Sequence, residues 1–209
     1  MITASEALDR LREGNARFAL GEKPAHRHMS RAERSRFATG QAPFAVVLGC
    51  SDSRVPVESI FDQGVGDLFV VRVAGNVVAA PVIGSVEFAA LQLGSRLVVV
   101  LGHSRCGAVR ATLDELLQPS EGLSQGLGAI VDSIRPAVEG VSAERRTGDR
   151  DVLLQHAVRA NIRYSVLRLT NDSDVLNQLI RDDGLVVVGA EYSLETGRVD
   201  FFDVPSKFV

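Results

Sequence analysis

The chain has 209 residues, 45% of them apolar, and a formal net charge of −3. That length fits one domain with one sizeable core. The small negative charge gives no electrostatic reason to expect a nucleic acid or an anionic membrane as partner, no apolar run approaches the ~18 residues of a membrane span, and Met1-Ile2-Thr3-Ala4-Ser5-Glu6 has no signal-peptide core.

In chain order, Ser5 to Phe18 reads as a helix capped by Ser5, with Ala7, Leu8, Leu11 and Phe18 as an apolar stripe that Gly14-Asn15 interrupts. As a terminal helix with little local chain to pack on, it is expected to lie against a second subunit. Gly21 to Ser30 reads as a linker, in which His26 and His28 are solvated, and Arg31 to Thr39 as a short basic helix. Residues 1–40 thus form a helical arm ahead of a domain spanning 41–209. Strands are expected at Phe44 to Gly49, Leu68 to Val73, Leu97 to Leu101, Leu185 to Ala190 and Val199 to Asp203, the last pair joined by a hairpin at Glu195-Thr196-Gly197. Between them, Pro56 to Phe61 is a short helical segment. Pro81 to Leu93 is a helix with proline at its start and Gly94 past its end. Further helices are expected at Cys106 to Leu117, Ala129 to Glu139, Asp151 to Leu169 and Ser173 to Arg181. Unbroken Val/Leu strands alternating with helices indicate an α/β domain with a mainly parallel sheet of four to five strands, covered on both faces.

The chemistry concentrates in two runs. Cys50-Ser51-Asp52-Ser53-Arg54 and His103-Ser104-Arg105-Cys106-Gly107 each follow an apolar strand, and they hold the only two cysteines of the chain. Strand ends are where α/β proteins carry functional loops. Two thiolates, one imidazole and one carboxylate make one tetrahedral zinc site. Cysteines placed this way do not suggest a disulfide framework, so a reducing cytoplasm is the expected compartment. A closed four-ligand zinc that only ties loops together is the plain alternative. Arg54 argues against it, because a guanidinium two residues from Asp52 can hold that carboxylate in a bidentate pair and free the fourth position for water. Zinc lowers the pKa of such a water and makes hydroxide available near neutrality. Gly64-Val65-Gly66 lacks the third glycine of a dinucleotide fingerprint. A Cys106/His103 nucleophile pair leaves Cys50 and Asp52 unexplained. His156 reads as packing or surface.

The runs C-S-D-S-R at Cys50 and H-S-R-C-G ending at Gly107 resemble the β-class carbonic anhydrases. So do Leu11 to Phe18, Phe69-Val70-Val71-Arg72, Gly75-Asn76, Gly84 to Phe88 and Val187 to Gly197, so the resemblance spans nearly the whole chain. It implies one Zn2+ per chain on Cys50, His103 and Cys106, with Asp52 or water in the fourth place, and an Asp52–Arg54 dyad that orients the hydroxide attacking CO2. It implies a CO2 pocket near a dimer interface. Gln41 matches a glutamine that donates to substrate in the plant-type branch, Phe69 an aromatic wall, and Gly107 a glycine whose N–H faces the site. Phe88 stands where that branch often has tyrosine, and Ala74 where it often has valine. Val47 stands where relatives with a noncatalytic bicarbonate site have tryptophan. Arg72 and Tyr192 resemble other parts of that site, which is not expected here. The implied activity is reversible hydration of CO2 to bicarbonate by a cytoplasmic homodimer or homotetramer. Carbonyl sulfide or carbon disulfide hydrolysis, and a noncatalytic zinc scaffold or sensor, are the alternatives.

Overall fold

The computed structural model describes residues 2–25, 30–119, 122–144 and 149–205. Five strands form one sheet: β1 (Ala45–Gly49), β2 (Leu68–Arg72), β3 (Leu97–His103), β4 (Val186–Tyr192) and β5 (Val199–Phe202). Their spatial order is β2-β1-β3-β4-β5. The first four are parallel, and β5 returns antiparallel to β4. Every residue of β1 and β3 is buried, as expected of central strands covered on both faces.

Alternation along these strands divides the core in two. Val46, Leu48, Val98 and Val100 face one side, packed with residues of helices α4 (Ala80–Gln92), α5 (Gly107–Leu117), α6 (Gln125–Glu144), α7 (Arg150–Asn171) and α8 (Asp174–Asp182). Val47, Leu97, Val99 and Leu101 face the other side, packed with α1 (Ala4–Ala19) and the short α3 (Val57–Ile60). The remaining helix, α2 (Arg31–Phe37), precedes β1. The chain leaves β1 for β2 on one side, then crosses back to place β3 on the other. The C-terminal ends of β1 and β3 therefore flank the point where the strand order reverses, the usual crevice of an open α/β sheet.

Several elements differ from the sequence expectation. α1 does not lack local chain to pack on. Ala7, Leu8 and Leu11 are buried against this chain's own sheet. Its cap is Thr3 rather than Ser5, in a reciprocal box with Glu6: Glu6 N–H donates to Thr3 Oγ1 at 3.2 Å and Thr3 N–H to Glu6 Oε2 at 2.7 Å. Gly14-Asn15 does not break the helix. A Cβ at Gly14 would stand 1.8 Å from the Phe61 carbonyl oxygen, so glycine is what lets α1 approach that loop. The Asn15 amide donates to the carbonyls of Ile60 and Gly197 and accepts from Val199 N–H. α6 begins at Gln125 despite Gly126 and Gly128, because Ser124 accepts from the N–H groups of Leu127 and Gly128. β3 runs on to His103 because Gly102 and His103 pair with Glu191 and Tyr192 of the lengthened β4.

Candidate metal centre

Cys50 is the first residue after β1, His103 the last of β3, and Cys106 the residue capping α5. Adjacent parallel strands bring these positions together. The two sulfurs are 4.0 Å apart, and one ligand atom from each of the three residues lies within 4.8 Å of the others. All three residues are buried. Tetrahedral zinc with sulfur at ~2.3 Å would set two sulfurs about 3.8 Å apart, so the spacing fits such an ion.

The imidazole supplies the sharpest evidence. His103 is fully buried, and its Nδ1 lies 2.9 Å from the Ser104 carbonyl. A carbonyl can only accept, so Nδ1 carries a proton and Nε2 is the nitrogen left to serve as a ligand. Nε2 has no hydrogen-bond partner. A buried nitrogen left without a partner beside two buried thiols is costly unless something takes its lone pair.

The sulfurs are prepared from the backbone. Gly75 N–H donates to Cys50 Sγ at 3.3 Å. The hydrogen bond to Cys50 and burial push the Cys106 thiol up, while the N–H groups of Val109 and Ala108, at the start of α5, pull the other way. The Cys106 sulfur's hydrogen bond draws the Cys50 thiol down below its usual value, against burial. A divalent cation taken by both sulfurs would displace their remaining protons.

Asp52 stands apart from the three-residue group. Its Oδ2 is 3.8 Å from His103 Nε2, close enough to face the centre. Arg54 holds it: Nε donates to Oδ1 at 2.9 Å, Nη2 to Oδ2 at 2.7 Å, and the Arg54 N–H to Oδ1 at 3.0 Å. The Arg54 guanidinium keeps the Asp52 carboxyl well below the usual carboxylate range, and Asp52 raises Arg54 further in return. Asp52 is therefore an ionised acceptor aimed by its partner.

Sequence reasoning missed the residues that hold this loop. Arg72 donates from Nε to the Cys50 carbonyl at 3.0 Å and from Nη2 to the Asp52 carbonyl at 2.6 Å. Gly75 and Asn76 lie in a short 3-10 turn, Ala74–Asn76, at φ +69° and +46°. That turn is tied to α7 by Asn161, which donates to the Gly75 carbonyl, and by Ser165, which donates to that of Asn76. The available signal was the Gly75-Asn76 pair, two residue types that tolerate left-handed backbone.

The expected pocket residues are dispersed. Phe69 on β2 and Phe88 on α4 stand together, ring centroids 6.2 Å apart. Ala74 opens the 3-10 turn and Gly107 is the first residue of α5. Gln41 is exposed on the loop before β1. Val47 is buried in the core facing α1. Tyr192 is buried beside Phe18. His26 and His28 lie outside the described residues.

A family model described as carbonic anhydrase matches residues 45–199. Carbonic anhydrase 2 of Mycobacterium tuberculosis is 40% identical over 190 residues, 90% of this chain and 87% of the relative. Among solved structures, the β-carbonic anhydrase CafA of Aspergillus fumigatus superposes with a TM-score of 0.74 at 28% identity, covering 98% of this chain and 93% of that one. A β-carbonic anhydrase of Sordaria macrospora, described as tetrameric, gives 0.72 at 27% identity, covering 81% and 85%.

Proposed function

The chain belongs to the β-class carbonic anhydrases, enzymes that interconvert CO2 and bicarbonate, and on that premise we propose how its own residues carry the reaction. Cys50, His103 and Cys106 hold one zinc ion. The observation that carries this is the buried, partnerless His103 Nε2 facing two buried sulfurs. When bound, zinc supplies a water acidified toward neutrality, and so a nucleophile at physiological pH.

Asp52 accepts the hydrogen of the attacking oxygen and thereby orients its lone pair toward CO2. Arg54 keeps that carboxylate ionised and pointed, and Arg72 keeps the Cys50–Asp52 turn in place through two backbone carbonyls. Phe69 is level with Val46, near the end of β1 away from Cys50, so Phe69 and its neighbour Phe88 supply an apolar wall suited to a nonpolar gas across the dimer interface, with Ala74 small enough to leave room. Gln41 precedes β1 and so lies at the strand end away from Cys50; its amide donates to a CO2 oxygen across the dimer interface, while the Gly107 N–H faces the site from the start of α5.

The enzyme works as a homodimer or homotetramer. The tetrameric Sordaria relative supports this, as do Phe88 and Leu91, exposed apolar residues on α4. A cytoplasmic setting follows from two thiols that must stay reduced to bind metal. No described helix is long and apolar enough to cross a membrane.

Stopped-flow CO2 hydration with metal analysis tests the reading. The wild type should carry one zinc per chain and be active. Cys50→Ser and Cys106→Ser should lose both metal and activity, since a neutral hydroxyl replaces a thiolate. Full zinc in both variants would end the assignment.

A further inference from the structure

Two residues separate the ligands His103 and Cys106, and one carboxylate from a distant turn grips both. Ser104 Oγ donates to Glu195 Oε2 at 2.9 Å, and Arg105 Nε lies 2.8 Å from Glu195 Oε1. Glu195 sits in the turn between β4 and β5. The same turn adds a second hold, for Leu194 N–H donates to Ser104 Oγ at 3.0 Å.

This short span is under constraint. It must turn the chain from the end of β3 into the start of α5 while aiming both ligands at one point. Arg105 makes the turn at φ +55°, a conformation that residues with a Cβ seldom adopt without outside support. The Ser104 carbonyl is also the acceptor that fixes the His103 ring. Any drift of Ser104 therefore moves the lone pair of Nε2.

We propose that Glu195 is a positioning residue for the metal centre: it clamps the Ser104–Arg105 turn and so sets the angle between His103 Nε2 and Cys106 Sγ. The proposal rests on reading Cys50, His103 and Cys106 as the metal ligands. Glu195 reaches neither metal nor substrate. It lines a cavity of about 590 Å3, with Arg159, Glu191 and Arg198, accepts a further hydrogen bond from Ser193 Oγ, and meets the metal-ligand span through Ser104 and Arg105.

The test follows zinc, not turnover. Zinc-loaded wild type, Glu195→Gln, Glu195→Ala, Ser104→Ala and the Glu195→Ala/Ser104→Ala double variant are mixed with excess colorimetric chelator, and the release rate is measured. Visible spectra of the cobalt(II)-loaded proteins and melting temperatures are recorded alongside. Glu195→Ala should release zinc on the order of 10-fold faster, the lower end of what outer-shell partners of metal ligands contribute, and should shift the cobalt bands. Glu195→Gln keeps an acceptor for Ser104 but loses the Arg105 ion pair, so it should fall between. The double variant should speed zinc release by less than the product of the two single effects, because both changes remove the Ser104–Glu195 bond and each removes only one contact of its own, to Arg105 or to Leu194. Release within twofold of wild type with an unchanged cobalt spectrum in Glu195→Ala would overturn the proposal. So would multiplying effects in the double variant, or faster release that merely tracks a fall in melting temperature across the set. The two readings fail differently. Full zinc in Cys50→Ser removes the centre and the clamp with it, whereas wild-type release in Glu195→Ala removes the clamp alone.

Discussion

Gly75 joins backbone geometry, core packing and metal chemistry at one atom, so Gly75→Ala should be expensive. The residue sits at φ +69°, ψ 18°. A Cβ there would stand 2.7 Å from Ile134 Cδ1 and 3.2 Å from Ala108 Cβ. Ile134 is fully buried, so its end cannot swing away freely. The left-handed backbone costs an alanine ~1–2 kcal/mol, and the stiffer unfolded chain returns ~0.4–1 kcal/mol of that. Overpacking adds ~1–3 kcal/mol. Together these leave a net loss of about 3 kcal/mol, or a fall in melting temperature of about 6–12 °C for a chain of this size. The assay is urea and thermal unfolding of the zinc-free protein, with zinc release from the loaded protein measured in parallel. Release should quicken, because the shifted peptide weakens the Gly75 N–H bond to Cys50 Sγ. Ile134→Val removes the nearest clashing atom. In the Gly75→Ala background it should therefore restore stability, although alone it should cost ~0.5–1.5 kcal/mol. Destabilisation of Gly75→Ala by less than ~0.5 kcal/mol, or plain additivity in the double variant, would refute the steric argument.

Arg54→Ala should keep zinc, since all three ligands remain, yet lose most CO2 hydration activity, roughly 10–100-fold, as Asp52 loses its partner. Equal activity in the two proteins at every pH would remove the dyad. The Asp52 carboxyl is depressed chiefly by Arg54, so its contribution to stability is present above the ordinary carboxylate pKa of ~4 and is lost only as pH falls through its lower folded value. Asp52 therefore stays ionised through the neutral and alkaline range. The hydration rate should still climb from neutral to alkaline pH, because a water held by zinc would lose its proton more readily there, and a flat stopped-flow profile would contradict this. Asn15→Leu should destabilise the protein by ~2–4 kcal/mol, because it strands the Ile60 and Gly197 carbonyls and the Val199 N–H at a buried site. Urea unfolding within ~0.5 kcal/mol of wild type would show that these groups find other partners.

Much of this protein is written locally. Covered parallel strands must be apolar at every position, so β1 and β3 appear in the sequence as unbroken runs, and α4 between them carries its own start and stop, Pro81 in its first turn and Gly94 past its end. Metal chemistry is equally local, because few side chains offer zinc a thiolate or an imidazole, and Cys50, His103 and Cys106 announce themselves beside strand ends. The position of α1 was not legible. A helix that pairs with distant surface by its small residues, as Gly14 does against the Phe61 carbonyl, looks the same in sequence whether that surface belongs to its own chain or another. Nor were Arg72, Asn161 and Glu195 legible as supports of the centre. Each acts across a long stretch of chain through one or two hydrogen bonds, and an arginine, asparagine or glutamate with a distant partner has no periodicity to give it away. Sequence alone therefore determined which atoms can bind the metal. Only the strand order β2-β1-β3-β4-β5, which sets β1 beside β3 and folds the β4–β5 turn back toward His103, decided that they converge and what holds them there.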